Sequence, residues 1–132
     1  MKKTLLLAAA LACSGAVAQE KQVWACQMEE STMLRWEDNG WKNYAVKPYN
    51  ILLTLNADNT GSIDPSNGNE FSIECSEAHL VRISCLDGPK WSHFLFSPNT
   101  GKLGVSALLG ATVDGREYRD SVSAEVYNCT KF

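Results

Sequence analysis

Met33-Leu34-Arg35-Trp36-Glu37-Asp38-Asn39-Gly40-Trp41-Lys42-Asn43-Tyr44 reads as a β-hairpin, because apolar and polar residues alternate on both sides of Asn39-Gly40. Asn-Gly accepts the positive φ that a two-residue turn between twisted strands requires. Centring the turn there pairs Asp38 with Trp41, Glu37 with Lys42 and Arg35 with Tyr44, a charge pair and a cation–π pair on one face. Leu34, Trp36, Trp41 and Ala45 share the other face. In this register a β-branched residue at Gly40 would be strained.

The period of two continues outward from the hairpin. Turn residues interrupt the chain about every eight to twelve positions, the pattern of an antiparallel sandwich or barrel, and no window carries a helical stripe. Val23 to Met28 forms a strand with Trp24, Cys26 and Met28 on one face, and Glu29-Glu30-Ser31 interrupts it. Asn50 to Asn56 presents Ile51, Leu53 and Leu55 together, and Ala57 to Gly61 turns the chain back. Asp58, Thr60, Ser62 and Asp64 alternate like calcium ligands, but the spacing, glycine placement and terminal glutamate of such a loop are missing. Gly61, Pro65 and Gly68 mark a further loop. Lys90 to Ser97, with Trp91, Phe94, Leu95 and Phe96, reads as a central strand covered on both faces. Pro98 to Gly101 turns into the strand Lys102 to Leu109, and Gly110 to Glu117 connects it to a closing strand from Tyr118 to Cys129. The alternation of that last strand shifts around Val126, Tyr127 and Cys129, which predicts a bulge there. The expected fold is a single all-β domain, a small antiparallel β-barrel or sandwich of about eight or nine strands.

The N-terminus carries the marks of export. Lys2 and Lys3 precede the apolar run Leu5 to Ala12, and Ala16-Val17-Ala18 leads into Gln19, so residues 1–18 read as a signal peptide and 19–132 as the domain. The apolar run falls well short of the roughly 20 residues of a membrane span. Lipidation at Cys13 is the rival reading, but Ala10-Leu11-Ala12-Cys13 is a poor lipoprotein box. A periplasmic or secreted chain is expected. Removing the signal leaves ten of the twelve Lys and Arg and all fifteen Asp and Glu, a formal net charge of −5, which argues against nucleic acid as a partner.

Four cysteines remain: Cys26, Cys75, Cys85 and Cys129. Their spacing does not suit a zinc site, and an even number in an oxidising compartment predicts two disulfides. Phe71, Ile73 and Cys75 share a face, as do Val81, Ile83 and Cys85, around a loop at Glu77, Ala78 and His79. That loop pairs Cys75 with Val81 and Phe71 with Cys85, and sets Glu74 opposite Arg82. The two cysteines then lie about 13 Å apart along the strands, too far to bond. The reading disfavours Cys75–Cys85 and leaves two alternatives: Cys26–Cys75 with Cys85–Cys129, or Cys26–Cys85 with Cys75–Cys129.

Catalytic signatures are poor. Gly104-Val105-Ser106-Ala107-Leu108 lacks the second glycine of a nucleophile elbow, and His79 and His93 stand in no metal-binding spacing. Glu29-Glu30 and Glu37-Asp38 sit among turn residues, where solvated charge is the default. No cofactor, no metal and no enzymatic activity are expected. Tryptophan is the one enrichment, with Trp24, Trp36, Trp41 and Trp91. Trp36, Trp41, Tyr44 and Tyr49 cluster in sequence and form the candidate ligand-binding set, suited to a protein, a small apolar molecule or a sugar. Aromatic filling of a small core is the competing account.

The segments Val23-Trp24-Ala25-Cys26, Asn99-Thr100-Gly101-Lys102 and Tyr127-Asn128-Cys129-Thr130-Lys131-Phe132 resemble those of small exported proteobacterial β-domain proteins of uncharacterised function. There is a fainter likeness to the periplasmic C-type lysozyme inhibitors, which are also exported, disulfide-bonded β-barrels with an aromatic-x-Cys start. The chain lacks their Ser-x-Gly-x-x-Tyr strand, so the likeness carries over no inhibitory residue. The expectation is a non-catalytic binding or interaction module, with inhibition of a hydrolase such as lysozyme as the alternative. Intact-mass analysis with alkylation should find exported protein beginning at Gln19 with no free thiol; a lipidated N-terminus at Cys13 would overturn the export reading.

Overall fold

The computed structural model describes residues 20–66, 68–78, 82–89, 91–109 and 121–132. The signal segment, Cys13, His79, the Gly110 to Glu117 connection and the start of the closing strand at Tyr118 lie outside the described residues. Nine antiparallel strands follow one another: β1 Gln22–Glu37, β2 Gly40–Tyr44, β3 Asn50–Leu55, β4 Thr60–Pro65, β5 Phe71–Ala78, β6 Arg82–Asp87, β7 Ser92–Ser97, β8 Lys102–Leu109 and β9 Ser121–Lys131. The sheet runs β2-β1-β3-β4-β5-β6-β7-β8-β9, and β1 also pairs with β9. The expected fold class is therefore met as a barrel of eight strands, with β2 as an extra strand outside the ring.

The strand β1 is long enough to serve two neighbourhoods. Its first part, Gln22 to Gln27, pairs with β3, its last part, Met33 to Glu37, pairs with β2, and β9 flanks nearly the whole length. The register against β9 shifts between Met28 and Glu30, so the interruption at Glu29 is a bulge within one continuous strand. The bulge thus sits on β1, facing Tyr127 and Val126, and not on the closing strand. Before it, Trp24, Cys26 and Met28 point inward; after it, Ser31, Met33 and Arg35 take the inner positions opposite Glu125, Ser123 and Ser121.

The barrel interior is filled by Ile51, Leu53, Leu55, Ile63, Ile73, Phe94, Phe96, Leu103 and Tyr127, with Trp24 edge-on to Phe96 at 4.9 Å. Side chains filling the interior is the expected condition of an eight-stranded ring. Strand β7 corrects the expectation of a strand covered on both faces: Phe94 and Phe96 are buried while His93 and Leu95 are exposed. In a single-layer barrel the outer face of each strand meets solvent unless something packs on it.

Both expected hairpin registers need correction, and for one reason. At the β1–β2 turn Asp38 and Asn39 hold the positive φ values, 48° and 63°, so Glu37 pairs with Gly40 and Trp36 with Trp41. Asp tolerates the left-handed region as Asn does. The shift puts the two indoles edge to face at 5.5 Å, an arrangement worth about 0.5–1.5 kcal/mol beyond burial. Arg35 still lies over the Tyr44 ring, at 5.3 Å, as a diagonal neighbour.

At β5–β6 the pairing runs on to Ala78 opposite Arg82, which sets Cys75 directly opposite Cys85 and Glu74 opposite Leu86. The disulfides are Cys75–Cys85 and Cys26–Cys129, with Cα separations of 4.0 and 3.9 Å. Both alternatives kept by the sequence reading are wrong, because they rested on a loop placed two residues too early. The observed register gives up the Glu74–Arg82 pair, an exposed contact worth roughly 0.2–1 kcal/mol, so little opposes it.

Two further turns are built from local polar contacts. Asp58 Oδ1 accepts hydrogen bonds from the backbone N–H and hydroxyl of Thr60, and Asn59 takes φ 63°, so the calcium-like alternation forms a tight turn. After β7, Gly101 has φ 68°, and a Cβ built there would meet the Cys129 carbonyl oxygen at 2.3 Å. We expect Gly101→Ala to lower stability by roughly 2–4 kcal/mol. Gly40, at ordinary strand φ with open space around its Cβ position, should accept Val within about 0.5 kcal/mol. Equal losses for the two variants in urea unfolding would restore the Asn39-Gly40 turn.

Candidate functional site

The register separates the four candidate aromatic residues into two groups. Trp36 and Trp41 lie on the outer face of the β1–β2 hairpin, whereas Tyr44, opposite Met33, belongs to the inner face. Tyr49, between β2 and β3, packs against Tyr127 with ring centroids 6.1 Å apart.

The outer face of the projecting sheet is apolar. Leu108 on β8, Val122 on β9 and Leu34 on β1 stand in one cross-strand row, with Trp36 and Trp41 beside it. Leu108 is 53 %, Leu34 40 % and Trp41 37 % exposed. Other strands also expose apolar side chains, among them Leu52, Leu86, Leu95 and Val126, but here three such side chains stand close together in one patch. The signal was present in the sequence as Val122 and Leu108, but only strand order puts them beside Leu34.

The inner face of the same extension is polar. The Tyr44 hydroxyl donates to Glu37 Oε2, which lies 3.9 Å from Lys42 Nζ, and Arg35 reaches Glu37 Oε1 at 3.7 Å. The hydrogen bond to Glu37 pushes the Tyr44 phenol up. Asp38 is held below the usual carboxylate range by its hydrogen bond from Lys42, which is raised in turn. These contacts account for the Glu37-Asp38 pair as ion-pair partners, and Glu29 bonds Lys102 at 2.7 Å.

Deeper, at the barrel mouth, Glu125 Oε2 accepts from the hydroxyls of Tyr127, at 2.6 Å, and Tyr49, at 3.0 Å. Burial and then the bond to Glu125 push the Tyr127 phenol far above its ordinary value, and burial raises Tyr49 as well. Sequence reasoning missed Glu125. The alternation Ser123, Glu125, Tyr127, Cys129 could have found it as an ionisable residue on the inward face.

His93 hydrogen-bonds Ser84, Nε2 to Oγ at 2.7 Å, on the exterior of the barrel. Among the described residues no carboxylate bonds its other ring nitrogen, so the pair lacks the third group that orients a base. Among the described residues no three His, Cys, Asp or Glu side chains gather as a metal site, and no helix is long and apolar enough to cross a membrane. Two disulfides fit an oxidising environment outside the cytoplasm.

Fold and surface define the class: a disulfide-stapled, up-and-down β-barrel with a projecting sheet that is apolar outside and polar inside. Comparison of the chain with protein-family models, with curated proteins and with solved structures returned no match.

The raised tyrosines set a pH dependence. The neutral phenol is favoured in the folded state, so this contribution is complete below the ordinary tyrosine value of 10.0 and is lost as pH rises above it. Stability in urea should stay level up to about pH 9 and then fall, with a slope of at most about 1.4 kcal/mol per pH unit from the buried Tyr127. Tyr127→Phe should flatten that fall; an unchanged slope would remove Tyr127 as its source.

Proposed function

We propose that this chain is an exported, non-catalytic binding module that acts in the periplasm or after secretion and engages a protein partner through the outer face of its projecting sheet. The reading is carried by the row Leu108, Val122 and Leu34 with Trp36 and Trp41 beside it, apolar area displayed outside the core on paired strands. Tryptophan is among the residues enriched at the energetic centres of protein–protein contacts, and Trp36 and Trp41 supply it here beside an aliphatic row. The packed interior argues against a barrel that carries a large ligand, since Phe96, Leu103 and Tyr127 fill its centre.

Inhibition of a hydrolase such as lysozyme is the second reading. It is favoured by the hairpin of β1 and β2, whose Asp38-Asn39 tip stands beyond the ring. Pull-down from periplasmic extract and from host secretions, with Leu108→Asp as the matched control, tests the first reading. A specific partner should be retained by the native protein and lost about tenfold or more by the variant at an unchanged unfolding midpoint. Equal capture by both proteins would reject this face. Inhibition of lysozyme that is weakened by changes at Asp38 and Asn39 would establish the second reading in its place.

A further inference from the structure

Across β3, β1 and β9 the side chains of Asn50, Gln27 and Asn128 stand side by side on the barrel exterior, because Gln27 pairs with Asn50 on one side and Asn128 on the other. Neighbouring strands lie about 4.8 Å apart, so the three amides span roughly 10 Å. The next row is Asp64, Leu52, Ala25 and Thr130. Ala25 contributes only a methyl group between longer neighbours, and a hollow of about 580 Å³ opens over it, with the amides along one side and Asp64, Ser66 and Thr130 at its margins. That volume falls within the roughly 300–1,000 Å³ of small-ligand sites.

None of these polar side chains makes a hydrogen bond to another protein group among the described residues. We propose that this hollow is a binding site for an uncharged, hydroxyl-rich ligand, a neutral oligosaccharide of about two rings.

The chemistry selects that class. Each primary amide offers both donors and acceptors, and the Asp64 carboxylate can accept from two adjacent hydroxyls. Leu52, 39 % exposed, and Ala25 supply an apolar floor for the C–H face of a sugar ring. Among the described residues Asp64 is the one charged side chain lining the hollow, and Lys47 lines only the adjoining one, so the hollow itself favours an uncharged ligand over an anion. An extended peptide fits less well. Where they line the hollow, β1, β3 and β9 are interior strands whose edges are taken, so the peptide's own backbone groups would find no ladder to join.

The site is independent of the projecting sheet, since Asn128 and Val122 are six positions apart on β9, about 20 Å along the strand. The test is titration of the ¹⁵N-labelled native protein with cellobiose, maltose and N,N′-diacetylchitobiose, with trialanine as the peptide probe, following side-chain amide resonances by NMR. At least one disaccharide should give saturable millimolar shifts of Gln27, Asn50 and Asn128. Ala25→Tyr, which fills the hollow, should weaken them tenfold or more, and Leu108→Asp should leave them unchanged. Should Ala25→Tyr fail to fold, Gln27→Ala takes its place with the same expected loss. No shift with any sugar, shifts scattered over the surface, full binding by the filled variant, or saturation by trialanine alone would overturn the proposal.

Discussion

The architecture depends on the meeting of the first and last strands. β1 and β9 pair from Trp24 opposite Lys131 to Arg35 opposite Ser121, and the Cys26–Cys129 disulfide joins directly opposed residues near the outer end of that ladder. Closing a loop with a sequence separation of 103 is where an entropic cross-link contributes most, roughly 5 kcal/mol in the chain-entropy model. Without this closure β1 and β9 would be open edges of a flat meander, with unpaired backbone groups and an uncovered apolar face. The Gly101 carbonyl accepts from the Cys129 N–H at 2.7 Å, so the β7–β8 turn is tied to the same closure.

The length of β1 couples the scaffold to its surfaces. Up to Met28 the strand belongs to the barrel, and beyond the Glu29 bulge it carries β2 past the ring. An extra residue in one strand changes which side chains face inward. Arg35 and Glu37 thereby join Tyr44 on the inner side, and Leu34 and Trp36 are left on the outer side beside Val122. A polar network and an apolar patch thus occupy opposite faces of one thin sheet. The hollow over Ala25 lies on the barrel proper, where the same strand runs between β3 and β9.

The errors in the sequence reading share a form. Moving the β1–β2 turn shifts each cross-strand partner by two residues, and moving the β5–β6 loop shifts it by four. Even shifts leave every side chain on the face first assigned to it, so Trp36 and Trp41 stay together, as do Ile73, Cys75, Ile83 and Cys85. Hydrophobic alternation therefore could not reveal the slips. The bulge was misplaced for a related reason: irregular alternation around Val126 and Tyr127 registers a mismatch between two strands without saying which of them holds the extra residue.

Face assignment and strand content were legible in the sequence because they follow from the two-residue period of an extended chain, a local property. Cysteine parity likewise implied two disulfides without reference to shape. Disulfide partners, the pairing of Trp36 with Trp41, the row from Leu34 to Leu108, the tyrosine pair on Glu125 and the amide row on the exterior were decided by tertiary structure. Each depends on which residue stands opposite which on another strand. That is set by turn placement and by ring closure between residues a hundred positions apart, and no local pattern encodes it.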